Sequence, residues 1–202
     1  MGGVLRLMAD YDGYISEAEP DTQLVDGKIL KCKPHSSTLT QECIVLSHWN
    51  LDLGGILAGA VIKSAKWIIT MLPLSGLKNS LMHSYVVGSA FSSATTWTTK
   101  PAISGTQYPP AVLPVPLPVG VPVEIDVKHF INIFIANPSI YFGLAIKADP
   151  SDTNDTGFTA KGSKPDSIVG GGLPMLVIEY NQTIAKPIIT PPSFRYKNGK
   201  RE

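Results

Sequence analysis

Proline and glycine punctuate this chain along its whole length, accounting for 17 and 18 of its 202 residues. Proline removes a backbone donor and glycine loses the most freedom on ordering, so neither belongs in the interior of long helices. The punctuation leaves room for many short strands joined by turns, and the expected class is all-β. With 44% hydrophobic and only 16% charged residues, the chain has material for a sizeable core and is not a disordered tail. Its 17 basic and 16 acidic residues nearly cancel. No field of one sign is available to hold a polyanion, so nucleic acid is not an expected partner.

The segments GKILKCK and ECIVLSHWNLDL read as strands, as do SLMHSYVVGSAF, IYFGLAIKA, the short FTAKGS and, after a glycine triplet, LPMLVIEY. AVIKSAKWIITMLPL is long enough for one extended strand. Strict alternation puts Ile62, Ser64, Lys66 and Ile68 on one side and Val61, Lys63, Ala65, Trp67 and Ile69 on the other, and neither side is cleanly apolar. In SSATTWTTKPAISGTQ the large aromatic Trp97 argues for an ordered loop, with the indole plugged into the core. The prolines in YPPAVLPVPLPVGVPVEI exclude a central strand and favour an extended, polyproline-like or edge segment. One helix is expected over about residues 126–136, where Val127, Phe130, Ile131, Phe134 and Ile135 form a stripe, Asp126 caps the start and Pro138 stops it. Residues 1–180 then make one domain, and 181–202 an arm outside the core.

Two cysteines, Cys32 and Cys43, cannot build a disulfide framework or a zinc site. They read as buried thiols, with pairing across a hairpin as the alternative. The N-terminus MGGVLRLMADYDG lacks the apolar core of a signal peptide. The most apolar run contains Lys63 and Lys66 and is broken by Gly54, Gly55, Gly59 and Pro73, so membrane insertion is not expected.

Several segments, in this order, resemble the DNRLRE-type β-sandwich family, also described as carbohydrate-binding-module-like. ADYDGYISEAEPDT is similar to its opening strand and loop, and IVLSHWNLDLGGILAGAVIKSAKWIIT to a strand, bend and strand. ATTWTTKPAI, with Trp97 and Pro101, resembles its most specific signature. VEIDVKHFINIFIANPSIYFGLAIKA and GFTAKGSKPDSIVGGGLPMLVIEY are similar to its helix-bearing and closing portions, so the likeness spans about residues 9–180. The chain departs from the pattern at Asp126-Val127-Lys128, where a threonine usually follows the valine, and at TAKGS, where an acidic residue is usual. The resemblance implies an antiparallel jelly-roll-like β-sandwich, found in secreted surface proteins, beside polysaccharide-degrading domains and in phage virions. It implies no catalytic centre.

The residues offer little independent chemistry. His35, His48, His83 and His129 form no metal-binding helical pair, and no nucleophile elbow, P-loop or dinucleotide fingerprint occurs. Asp149, Asp152, Asn154 and Asp155 fall in one oxygen-rich loop of a kind that suits Ca²⁺, but the EF-hand spacing is missing and a solvated turn is the favoured reading. No cofactor is expected. Trp49 and Trp67 read as core, whereas Tyr11, Tyr14 and Tyr108, in loop-like surroundings, are the candidate sugar-stacking residues. Asn154 and Asn181 head chance matches to the glycosylation sequon.

The leading expectation is a non-enzymatic structural or attachment domain of an extracellular particle: a phage virion protein such as a capsid decoration, fibre or tail component. Its partners would be other proteins of the particle or further copies of itself. The alternative is a carbohydrate-binding module of a secreted or cell-surface protein, with a surface glycan as ligand, and a small extracellular hydrolase comes third.

Overall fold

The computed structural model describes residues 2–25, 27–33, 42–51, 59–72, 81–104, 111–112, 120, 122–148, 158–163, 173–182, 196–197 and 200–201. In chain order the strands are β1 (Gly2–Met8), β2 (Tyr11–Ser16), β3 (Ile29–Cys32), β4 (Cys43–His48), β5 (Ala60–Thr70), β6 (Leu81–Val86), β7 (Ala111–Val112) and β8 (Pro122–Asp126). After the helix α1 (Lys128–Ala136) and a single 3₁₀ turn come β9 (Leu144–Ala148), β10 (Phe158–Lys161), β11 (Met175–Gln182), β12 (Tyr196–Lys197) and β13 (Lys200–Arg201). The fold is all-β, and among the described residues every strand pairing is antiparallel.

Two sheets, ordered β1-β11-β5-β8 and β2-β4-β9-β6-β7, make a sandwich. Its main core joins Ala65, Trp67, Ile125, Leu176 and Ile178 from the first sheet to Val45, Met82, Leu144 and Ile146 from the second. The short β3–β10 pair laces the two together, because Lys33 bridges to Cys43 on β4 and Ala160 to Met71 just beyond β5. A second apolar cluster holds Ile15, Ile44, Leu46, Tyr85 and Ala145 beneath Val25 and Phe91, on the opposite face of the five-stranded sheet. Strand β4 is thus buried on both sides, which is why Cys43–Leu46 is a continuous apolar run rather than an alternating one.

Strand β5 corrects the expectation of strict alternation. Its register against β11 shifts between Glu179 and Tyr180, so that Glu179 pairs with Ser64 and Tyr180 with Ile62. Lys63 is the extra residue of a β-bulge. Ile62 therefore points inward together with Ala65, Trp67 and Ile69, while Val61, Lys63, Lys66 and Ile68 lie on the more exposed side. Each half of the strand is cleanly amphipathic, and the bulge puts the halves out of phase.

The helix occupies its expected place and buries Val127, Phe130, Ile131 and Phe134. Its cap differs. Asp126 is the last residue of β8 and Val127 holds the N-cap position, with no side-chain cap bond. The Asp126 carboxylate instead accepts the Lys128 N–H at 2.9 Å, one residue earlier than a standard cap reaches. The register of β8 against Lys66 holds Asp126 in the sheet and denies it that position.

Cys32 and Cys43 are buried free thiols. It is Lys33, not Cys32, that lies opposite Cys43, so the two thiols are one residue out of register and the cross-hairpin pairing is not formed. The last core strand runs two residues past Tyr180, to Gln182.

Trp97 also differs from its expected role. The fully buried indoles are those of Trp49 and Trp67, packed edge to face with centroids 5.1 Å apart. Trp97 lies half-buried against the second cluster, with the Lys100 ammonium 3.5 Å from its ring centroid. The surrounding segment is ordered by threonine turns and by Thr98, whose N–H and hydroxyl donate to the Pro20 carbonyl and whose hydroxyl also lies 2.8 Å from Asp21 Oδ1. Pro101 is buried beside it.

Candidate functional site

Tyr11 and Tyr14 lie on β2 rather than in loops. They are three positions apart on a period-two strand, so they project from opposite faces and cannot form one stacking platform. Tyr11 belongs to an aromatic cluster at one end of the sandwich. Its ring stacks on His48 at 4.7 Å with a 5° interplanar angle and meets Phe91 edge-on at 5.1 Å. The β2–β4 register places Tyr11 directly opposite His48, which accounts for the stack. His48 Nδ1 is 3.0 Å from Asp10 Oδ2, and the two side chains remain 21% and 41% exposed. Tyr141 packs against the imidazole with ring centroids 5.3 Å apart and anchors itself to Trp49, donating its hydroxyl to the backbone carbonyl and accepting the backbone N–H. Burial pushes the Tyr141 phenol well above its ordinary value and raises that of Tyr11 as well, aided there by the negative charge of Asp10.

This cluster offers an aromatic ledge with a carboxylate and an imidazole at its rim. Tyr14 is isolated from it, with the Lys31 ammonium 5.6 Å above its own ring. Tyr108, the loop containing Asp149, Asp152, Asn154 and Asp155, and most of the proline-rich segment lie outside the described residues; of that segment, Ala111 and Val112 pair with β6 at the sheet edge and β8 begins at Pro122. Among the described residues, no three acidic, histidine or cysteine side chains gather as a metal site.

A second surface has a different character. The outer face of the four-stranded sheet carries Met8, Met175 and Ile68 in one register row and Arg6, Val177 and Lys66 in the next. Val4 is 49%, Met8 42% and Val61 60% exposed. Lys66 pairs with Glu124 across β5 and β8. At the β1 end of this face, Gly2, Gly3, Val4, Lys63, Glu179 and Tyr180 surround an open hollow of about 280 Å³. Gly2 and Gly3 line it with backbone alone, the Tyr180 ring fills the place a Gly3 Cβ would take, and the bulge turns Lys63 outward. None of these residues stands out in the sequence. The usable signal was the alternation of Leu5 and Leu7 around Arg6, which marks a strand with one wet face.

The buried carboxylate of Asp12 serves the fold. Asp12, fully buried, accepts the Ser163 N–H at 3.1 Å and its hydroxyl at 2.7 Å, tying β2 to the end of β10. Gly13 lets the 24–25 backbone cross β2, since a Cβ there would lie 2.3 Å from the Leu24 carbonyl oxygen.

The site and fold define an antiparallel β-sandwich with one aromatic end and one semi-apolar sheet face. No helix among the described residues is long and apolar enough to cross a membrane. Compared with known proteins, the chain matches no protein-family model, and a search of curated proteins likewise finds no match.

Proposed function

We propose that this chain is a non-enzymatic structural or attachment domain that assembles into, or decorates, an extracellular particle, specifically a phage virion, as a jelly-roll-like sandwich of DNRLRE type. The observation that carries this reading is the outer face of the four-stranded sheet, where Val4, Met8 and Val61 are solvent-exposed beside Met175, Val177 and Ile68. Apolar side chains gathered on one flank of a sheet, rimmed by charges such as Arg6, Lys66 and Glu124, have the composition of a protein contact surface. The buried Asp12 carboxylate is engaged with the half-buried Ser163, which suits a fold-stabilising role. The test is co-purification: antibody against this chain should detect it in intact particles purified by density gradient. Its recovery only in the soluble fraction would overturn the reading.

A second reading, a carbohydrate-binding module, draws support from Tyr11. Its partly exposed ring lies beside the Asp10 and His48 side chains, a combination of stacking face and hydrogen-bonding groups that suits a sugar. Retention on a glycan array that Tyr11→Ala abolishes, with the fold intact, would promote it over the first.

A further inference from the structure

Strand β1 stands at an edge of the four-stranded sheet, and among the described residues it pairs with β11 alone. The edges at β2 and β8 are protected. On β2 the outer edge is taken by Leu24, whose carbonyl accepts the Tyr14 N–H, and by Gly27, whose N–H donates to the Asp12 carbonyl. The opposite edge strand, β8, opens with Pro122 and carries the exposed acids Glu124 and Asp126. Proline and charge are the usual guards of a strand edge. Strand β1 has no proline and a single charge, Arg6, over seven residues.

We infer that β1 is a self-pairing edge, through which a second copy of the chain docks antiparallel about a twofold axis at Leu5 to make one continuous eight-stranded sheet. This deepens the assembly reading and rests on it, naming the partner for the same flank of the sandwich. The argument is one of shape and charge. A seven-residue strand overlaps fully with its own copy only when residue 2 lies opposite residue 8, which sets Leu5 against Leu5, Val4 against Arg6 and Gly2 against Met8. The strand is small at one end and bulky at the other. Self-pairing therefore brings the exposed Met8 of each copy to the Gly2 end of its mate, beside the hollow lined by Gly2, Gly3, Lys63, Glu179 and Tyr180. All of the even-numbered residues face the same side, so this fit costs no change of register.

Charge fits as well. In β1 the neighbour of Val4 across β11 is Glu179. The incoming Arg6 would sit on the other side of Val4, two strand spacings from Glu179, or about 10 Å between Cα atoms, within the joint reach of arginine and glutamate side chains. Neither Arg6 nor Glu179 has a salt-bridge partner among the described residues. A strand edge of this length gives a small interface, so the association is concentration-dependent.

The test is a designed crosslink in the full-length chain. Directly opposed residues of an antiparallel pair lie about 4.5–5.5 Å apart at Cα, inside the disulfide range. Within one chain residues 2 and 8 are about 20 Å apart. The double variant Gly2→Cys/Met8→Cys should therefore form covalent dimers on mild oxidation, and neither single variant should, while native Cys32 and Cys43 stay buried. In parallel, Met8→Lys, which sends an ammonium toward Lys63 of the mate, should raise the dimer dissociation constant by about tenfold, measured by sedimentation, with the melting curve unchanged. Failure of the double variant to crosslink more than the singles would overturn the inference, as would a wild-type chain that is monomeric throughout a concentration series. Oligomers that form without the crosslink and ignore Met8→Lys would remove β1 as the contact and leave the assembly reading standing. Crosslinked dimers in a chain absent from particles would do the reverse.

Discussion

The carboxylate of Asp12 and the backbone and hydroxyl of Ser163, 151 residues apart in sequence, are joined by hydrogen bonds from two donors, the N–H shared between both carboxylate oxygens and the hydroxyl donating to one. Together they fix β2, a strand of the second sheet, to the end of the small β3–β10 pair. Replacing Asp12 by Ala leaves the half-buried Ser163 N–H and hydroxyl without their acceptor, and the expected loss is about 2 kcal/mol. Ser163→Ala keeps the backbone bond and should cost only about 1 kcal/mol. Denaturant titration of both variants decides the point, and equal effects would show that the carboxylate is not the anchor.

Trp67 and Trp97 should separate cleanly by burial. Trp67→Ala empties a site of zero exposure and should cost about 3–5 kcal/mol. Trp97 rests on the surface of the second cluster beneath Lys100, and its replacement by Ala should cost about 1–2 kcal/mol, mainly through lost area and the cation–π contact. Thermal melts of the two variants side by side give the order, and a larger effect at Trp97 would contradict it.

Stability should fall in alkali. Burial raises the Cys32 and Cys43 thiols and the Tyr141 phenol above their ordinary values, so the folded chain keeps protons that the unfolded chain has already lost. The stabilising contribution is complete below the unfolded thiol value, about 8.5, and is lost as the pH rises beyond it, with tyrosine adding from about 10 upward. Unfolding free energies from pH 7 to 10.5 should trace this decline, and Cys32→Ala should flatten its first part. A slope that the variant leaves unchanged would assign the effect elsewhere.

At Asp126 the stake is smaller. Its carboxylate accepts the Lys128 N–H and the residue is exposed, so Asp126→Ala should cost about 0.5–1 kcal/mol and leave any binding intact. Binding lost without loss of stability would reveal a functional carboxylate there.

Much of this architecture was legible because its strands announce themselves. Cys43–Leu46, Leu144–Ala148 and Met175–Ile178 are apolar enough to read as strands directly, and the helical stripe from Val127 to Phe134 follows a 3.6-residue period that no strand would produce. Strand β1 escaped notice because two glycines open it and only Leu5 and Leu7 face the core, too short a pattern to stand out from a loop. Tyr11 and Tyr14 were visible as aromatics, but only the register of β2 shows that they point apart, and the stacking of Tyr11 on His48 depends on a strand pairing that no local pattern encodes. The aromatic end and the β1 hollow are both products of pairing, which is where sequence periodicity stops being informative.

The bulge in β5 bears on how this chain tolerates insertion and deletion. Because Lys63 and Ser64 together occupy the space opposite Glu179, excising either one would leave Ile62, Ala65, Trp67 and Ile69 still pointing inward, now in unbroken alternation. A ten-residue version of the strand would present the same core with less local twist, and where Lys63 is the residue lost it would no longer thrust a lysine over the β1 hollow. A single-residue gap at this point, damaging almost anywhere else in a paired strand, is thus neutral for the interior and acts on the surface alone, so chains of different length in β5 can share one core while differing in what their sheet edge accepts.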